Sequence, residues 1–325
     1  MKQVYLKNVL LAAGLLLGMG ASAQDITVDN INYNVTSEAD MTCEVAETSG
    51  LTGDVVIPEQ VTADGKTYTV TAIGDMALAY NNQLTSVKLP STVTAIGYGA
   101  FYSCRSMTSI DLGGSVETIG YSAFQYCESL TSIDLPETLV SIGENGFTTS
   151  GLTSLVIPNS VTEVGTGVFA ACTDLKSVVI GGSLTTLSTS MFLNDFDLTD
   201  VTVCSSTPPT LDGYVFNGIS FENATLRVPE GSAGAYKSAS GWKDFGTIVE
   251  YTPTGISNVE AGAGFTVKAA DGVITVEGAD GEVGVYDMSG AKVAAATADG
   301  GATIAVSARG AYIVKAGGKA VKVAM

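Results

Sequence analysis

Histidine is missing from this chain, and tryptophan occurs once in 325 residues. Positive charge is scarce: 15 lysines and arginines face 33 aspartates and glutamates, a formal net charge of −18. Each shortage excludes a class of function. Without histidine there is no Ser-His-Asp triad and no His-ligated zinc site. Without a basic surface, nucleic acid and anionic membranes are poor partners, because both are held by clustered Lys and Arg. Cys-x-x-Cys pairs, an EF-hand loop and a phosphate-binding Gly-Lys loop are absent as well. No cofactor is implied. After residue 23 no apolar run approaches the ~18 residues that would span a bilayer, so no transmembrane segment is expected in the mature chain.

The first 23 residues read as an export signal rather than as fold. Lys2 and Lys7 form a positive n-region, and Val9 to Met19 is apolar apart from glycine. Ala21-Ser22-Ala23 is a small-residue cleavage site, which places the mature start at Gln24. No cysteine follows it, so a lipid anchor there is not expected.

What is abundant is self-similarity. Apolar-glycine pairs recur as Ile73-Gly74, Ile96-Gly97, Ile119-Gly120, Ile142-Gly143 and Val164-Gly165, continued by Leu187-Ser188, in steps of 23, 23, 23, 22 and 23 residues. Four residues further on stand Leu78, Phe101, Phe124, Phe147, Phe169 and Phe192. An alternating pair follows in each copy: Val87/Leu89, Ile110/Leu112, Ile133/Leu135, Leu155/Ile157, Val178/Ile180, Val201/Val203. Pro or Gly usually ends it. The alternation predicts a short strand with one buried face, including Leu130 to Leu135. Burying an apolar side chain contributes roughly 1.5–3 kcal/mol, while ordering each backbone residue costs roughly 1–2 kcal/mol. A single copy therefore cannot fold alone. Stacked copies share one core and line up their strands in parallel.

The expected organisation is a repeat solenoid over residues 55–204, with an N-terminal cap at 24–54. A degenerate seventh copy and C-terminal cap occupy 205–252. Trp242 and Phe245 are expected to cover the last coil, rather than to anchor a ligand. Residues 255–325 change character: Val-rich segments are punctuated by Asp271-Gly272, Asp280-Gly281, Gly300-Gly301 and Gly317-Gly318. Read as hairpin turns, these predict a small antiparallel β-sandwich.

The columns resemble the BspA-like leucine-rich repeats of Bacteroidetes surface proteins. Tyr121-Ser-Ala123-Phe124-Gln-Tyr-Cys127, followed by Leu130 to Pro136, carries the likeness. The insertion at Asp64 to Tyr68 and the stretch from Thr207-Pro-Pro209 to Phe245 are similar to that family's first and last repeats. The resemblance implies a secreted or cell-surface protein at the outer membrane of a Gram-negative bacterium. It also implies adhesion to a host protein or glycan, or to another microbial surface. It brings no catalytic site. Val285 to Gly290, Gly310 to Lys315 and Lys319 to Val323 resemble a type IX secretion sorting domain, an export address; a permanent β domain is the alternative.

Cys104, Cys127 and Cys172 fall in one repeat column with Asn81, Ser150 and Asp195. Coils stacked about 4.8 Å apart would bring them within disulfide distance. Parallel side chains give poor disulfide geometry, so buried free thiols are expected. Cys43 and Cys204 lie near opposite caps.

Recognition is expected on the outward strand positions, which a solenoid presents as one surface. One column reads Ser86, Ser109, Ser132, Ser154, Ser177, Asp200. The next reads Lys88, Asp111, Asp134, Val156, Val179, Thr202, and passes from charged to apolar. Tyr98, Tyr102, Tyr121 and Tyr126 on neighbouring turns are interface residue types, unless they merely pack between coils. A binding module is thus the leading expectation, with a ligand-free structural envelope component as the alternative. A carboxylate glycosidase built on Asp111 and Asp134 ranks last, because those residues recur as a solvated column.

Overall fold

The computed structural model describes residues 26–251, 265–270, 273–287, 292–306, 311–317 and 319–324. The export signal, the break at Thr252 to Ile256 and the Asp271-Gly272 turn lie outside the described residues.

Three strands open the structure: β1 (Ile26–Val28), β2 (Ile31–Ser37) and β3 (Thr42–Val45), antiparallel to one another. Then come β4 (Thr52–Val56), β5 (Gln60–Ala63) and β6 (Lys66–Ile73). β5 and β6 form a hairpin through Asp64 and Gly65, both at positive φ, so the insertion seen in the sequence is a hairpin added to the first coil. β6 then pairs in parallel with β3, which joins the antiparallel cap to the solenoid.

From there long and short strands alternate. They are β7 (Gln83–Lys88), β8 (Ala95–Ile96), β9 (Ser109–Asp111), β10 (Thr118–Ile119), β11 (Ser141–Ile142), β12 (Ser154–Ile157) and β13 (Glu163–Val164). The series continues with β14 (Ser177–Ile180), β15 (Thr186–Leu187), β16 (Asp200–Val203), β17 (Thr210–Leu211), β18 (Thr225–Pro229) and β19 (Thr247–Tyr251). Wherever solenoid strands of successive coils pair they run in parallel, and the register is the repeat itself: Ile73 meets Ile96, Ile96 meets Ile119, and Ile119 meets Ile142. The long strands form two groups, β4-β7-β9 and β12-β14-β16-β18-β19. They are separated at Thr131 to Leu135, which carries no strand although Ile133 and Leu135 stay buried. This departs from the expectation of a strand there. The gap sits where the copy length changes. Gly151 replaces the two residues Glu128 and Ser129 of the preceding coil, and its backbone is pressed onto the Glu128 carbonyl, leaving room for no side chain.

The core is a column of like on like. Phe101, Phe124, Phe147, Phe169, Phe192 and Phe216 are buried, with successive ring centroids 5.0–5.8 Å apart and planes within 17° of parallel. Stacked aromatic pairs contribute roughly 0.5–1.5 kcal/mol beyond area burial. The last coil is closed by a short helix, α1 (Ala233–Ser238), and a 3-10 turn at Trp242–Asp244. Trp242 meets the face-exposed end of the stack edge-on, 5.4 Å from Phe216, and Phe245 does the same.

Between short and long strands each coil runs through an arch with two left-handed residues. The first column is Met76, Gly99, Ser122, Asn145, Gly167, Ser190 and Gly213; the second is Tyr80, Ser103, Tyr126, Thr149, Ala171 and Asn194. A non-glycine residue there costs about 1–3 kcal/mol and persists only where its surroundings over-determine it. A hydrogen-bond ladder does so. The N–H groups of Met76, Leu78 and Tyr80 donate to the carbonyls of Tyr98, Ala100 and Tyr102, and those of Gly99, Phe101 and Ser103 donate to Tyr121, Ala123 and Gln125. Gly97, Gly120, Gly143 and Gly165 are required by close approach: a Cβ on any of them would lie 2.2–2.7 Å from the nearest atom of the preceding coil.

Among the described residues the C-terminal region has its own core and one five-stranded antiparallel sheet: β20 (Thr266–Ala270), β21 (Val273–Asp287), β22 (Lys292–Ala305), β23 (Ala311–Ala316) and β24 (Lys319–Ala324). Two of the expected turns are corrected. Asp280-Gly281 lies inside β21 and Gly300-Gly301 inside β22, facing each other across an irregularity in their pairing. The Asp280 carboxylate accepts the Gly300 N–H at 2.7 Å, so the pair serves as a bulge in a long ribbon.

Candidate recognition surfaces

The long strands hold the expected binding column in register in two runs, with Asp134 in the strandless stretch between them. Ser86 lies beside Ser109 and Lys88 beside Asp111; Val156 lies beside Val179, and Val179 beside Thr202. Lys88 Nζ and Asp111 Oδ2 are 3.1 Å apart, both exposed, a pairing that contributes at most about 1 kcal/mol. Asp134 is exposed, and Val156 and Val179 are half-buried. Thr202 is not outward in the expected sense: it is 4% exposed. Its register partner in β18, Arg227, reaches diagonally to Asp200 (3.3 Å) and closes the surface over that corner. The seventh copy is stretched, so the repeat spacing did not reveal Arg227 as a member of the column. At the opposite end Val56, 66% exposed, begins the same column.

The arch face carries tyrosines in two ladders. Tyr98 and Tyr121 stack with centroids 5.4 Å apart. Tyr80, Tyr102 and Tyr126 run edge to face at 5.4 and 5.5 Å. Trp242, by contrast, is 1% exposed, and its indole N–H donates to the Pro209 carbonyl at 2.7 Å. It is a lid.

A family model of the BspA type leucine-rich repeat region matches in 6 copies, over residues 65–147 and 94–223. The solenoid is built of BspA-type leucine-rich repeats. Its fold is similar to the leucine-rich repeat protein of T. pallidum, at 29% identity and a TM-score of 0.53, over 60% of this chain and 89% of that one. A leucine-rich repeat protein from Bacteroides ovatus is 23% identical with a TM-score of 0.46, over 70% of this chain and 76% of that one. A leucine rich cell surface protein from Faecalibacterium prausnitzii is 20% identical with a TM-score of 0.35, over 72% and 96% respectively. No curated protein matches the chain.

Within the BspA-type repeat the cysteine column is a donor slot. Cys104 Sγ donates to the Leu78 carbonyl at 3.0 Å, Cys127 Sγ to Phe101 and Cys172 Sγ to Phe147, both at 3.3 Å. Asn81 donates from Nδ2 to Leu78 and Thr48. All five cysteines are free. Burial pushes the Cys104 and Cys172 thiols up to about 12, so they are not nucleophiles at neutral pH. Asp195 is the exception in type. Its Oδ1 accepts the Cys172 N–H at 2.8 Å, and its buried Oδ2 has no hydrogen-bond partner. Burial raises this carboxyl to about 8, partly opposed by that backbone bond. Asn81 shares the accepting half of this arrangement, its Oδ1 taking the Leu51 N–H at 2.9 Å. Among the described residues no group of three or more Cys, Asp or Glu side chains could hold a metal ion, and no helix is long and apolar enough to cross a membrane.

Proposed function

We propose that this chain is an exported, non-enzymatic surface protein whose solenoid binds a protein or glycan on a host or on another microbe. The observation that carries the reading is the outward column of the long strands, where Lys88 is in register with Asp111 and Val156 with Val179, and Asp134 is exposed between the two pairs. Lys88 and Val179 are flanked by a paired strand on each side, which holds their backbone and limits the conformational entropy lost on contact. Its passage from charged to apolar suits a partner with a polar and an apolar end. BspA-type repeats and an N-terminal signal-like segment support display outside the cell. The C-terminal sheet, in this reading, is a type IX export address.

Two measurements test the proposal. Protein and glycan arrays probed with the full chain should give a saturable partner, weakened by substitution of Lys88 and Asp134; an absence of any saturable partner would leave a structural envelope role. Intact mass of the protein taken from its native cell surface should show loss of both termini. A retained C-terminus would sink the export-address part alone.

A further inference from the structure

The arches of the first three coils hold more tyrosine than the fold needs. The column after the repeat glycine reads Asp75, Tyr98, Tyr121, Glu144, Thr166, Thr189. The column of Tyr80 and Tyr126 continues as Thr149, Ala171 and Asn194 with the same left-handed backbone. Small residues therefore fill these positions in later coils without changing the arch. Three of the tyrosines stay exposed, Tyr80 at 60%, Tyr98 at 48% and Tyr121 at 44%, while Tyr102 and Tyr126 are half-buried. Gly99 stands between the two ladders against Met76 and Tyr102. Burial, and then the nearby phenols of Tyr126, Tyr80 and Tyr98, raise the Tyr102 pKa, so the two ladders border one patch. A contiguous exposed aromatic surface of this kind marks an interaction site rather than a packing remainder.

Charge says what it fits. Asp75 and Glu144, both exposed, bracket the Tyr98–Tyr121 stack at its two ends. The Asp75 carboxylate is oriented by the Tyr98 N–H, which donates to Oδ1 at 2.7 Å. Arg105, which lies 6.0 Å from the Tyr126 ring centre, is already held by Glu128 at 2.9 Å. Ring faces flanked by carboxylates attract ammonium and guanidinium groups.

We propose that this tyrosine face docks a protein segment bearing lysine or arginine, with the cations seated between the rings and Asp75 or Glu144. The inference shares with the reading above the premise that the solenoid binds a partner, but uses a different face, so either surface can fail alone.

The test is a fluorescence-anisotropy titration of the full chain with a labelled dodecapeptide of Lys-Ser-Gly repeats. Its Glu-Ser-Gly counterpart serves as control, and a neutral oligosaccharide array runs in parallel. Tyr98→Thr with Tyr121→Thr installs the residue that later coils use and leaves the charge unchanged. Binding of the lysine peptide should weaken at least about fivefold in that variant, and by a smaller factor in Glu144→Gln. Glu222→Gln with Asp244→Asn, which removes two exposed carboxylates at the far end of the solenoid, should leave it unchanged. Should the double variant not fold, Tyr80→Asn, which installs the residue present at 194, gives the same readout. Equal binding to the tyrosine variants would reduce the effect to bulk acidity and overturn the proposal. So would a loss confined to oligosaccharides, which would make the face a glycan site.

Discussion

The solenoid and the C-terminal sheet solve the same burial problem in opposite ways. In the solenoid each core residue lies on its own homologue from the neighbouring copy: Phe on Phe, Ile on Ile. Register is then a property of the repeat, and a single spacing sets every contact. In the sheet, unlike residues meet across hairpins, as Val283 does with Ala296 and Ala316. Register there depends on where the ribbon turns or bulges. The lesson is that periodicity makes long-range contacts local in effect, whereas an aperiodic sheet must specify each one.

The sharpest way to break this comparison is Phe147→Ala. Removing the ring from the middle of the stack should cost the solenoid about 3–5 kcal/mol. Denaturant unfolding of the full chain, followed by probes in each region, should show the sheet's transition unmoved; a matched shift in both would mean that the two cores are not independent.

Asp195→Asn comes next, and its effect depends on pH. The native carboxyl sits near 8, above its ordinary value of 3.8. The native state therefore holds a proton that the unfolded chain releases, and this contribution to stability falls as pH rises from about 4 to about 8. An Asn matches the donor slot filled by Asn81 and removes the titration. The variant's advantage should grow by roughly 1 kcal/mol per pH unit across that window, as read by melts from pH 4 to 9. A constant difference would mean that Asp195 is ionised in the slot.

Gly143→Ala tests the close approach of coils. The added carbon would meet the Tyr121 nitrogen at 2.5 Å, and overpacking of this kind costs typically about 1–3 kcal/mol. Gly281→Ala in the sheet meets nothing within 4 Å, but carries the cost of a positive φ. If both fell equally, crowding between coils would not be what demands glycine at 143. The smallest effect belongs to Lys88→Ala. It loses an exposed ion pair, so stability should change by less than about 1 kcal/mol, while partner binding on the strand face should fall.

Much of the solenoid was legible because its columns repeat. The Phe stack, the inward strand pairs and the glycine column all follow from spacing, and the parallel register follows with them. The arch was not legible. Gly99, Asn145, Gly167 and Asn194 suit left-handed backbone, but Tyr80, Tyr126, Thr149 and Ala171 occupy the same columns and carry no turn signal. Their conformation is imposed by the inter-coil ladder and not by local preference. The Asp280 and Gly300 pair misled for the converse reason: strong turn residues sit in a bulge because the long β21–β22 ribbon continues past them. Five of the six expected surface residues reach solvent, and Thr202 fails because Arg227 belongs to an irregular copy that the spacing hides.

By itself, then, the order of residues determined that this chain stacks on itself, which side chains face the dry interior, and that no histidine is there to titrate near neutral pH. Only the folded chain decided which outward positions are open, where like residues become a ladder of exposed rings, and which buried carboxyl keeps its proton. The reason is physical. Period and polarity are encoded one copy at a time, but accessibility, aromatic contact and proton affinity belong to neighbours that exist only once the coils are laid together.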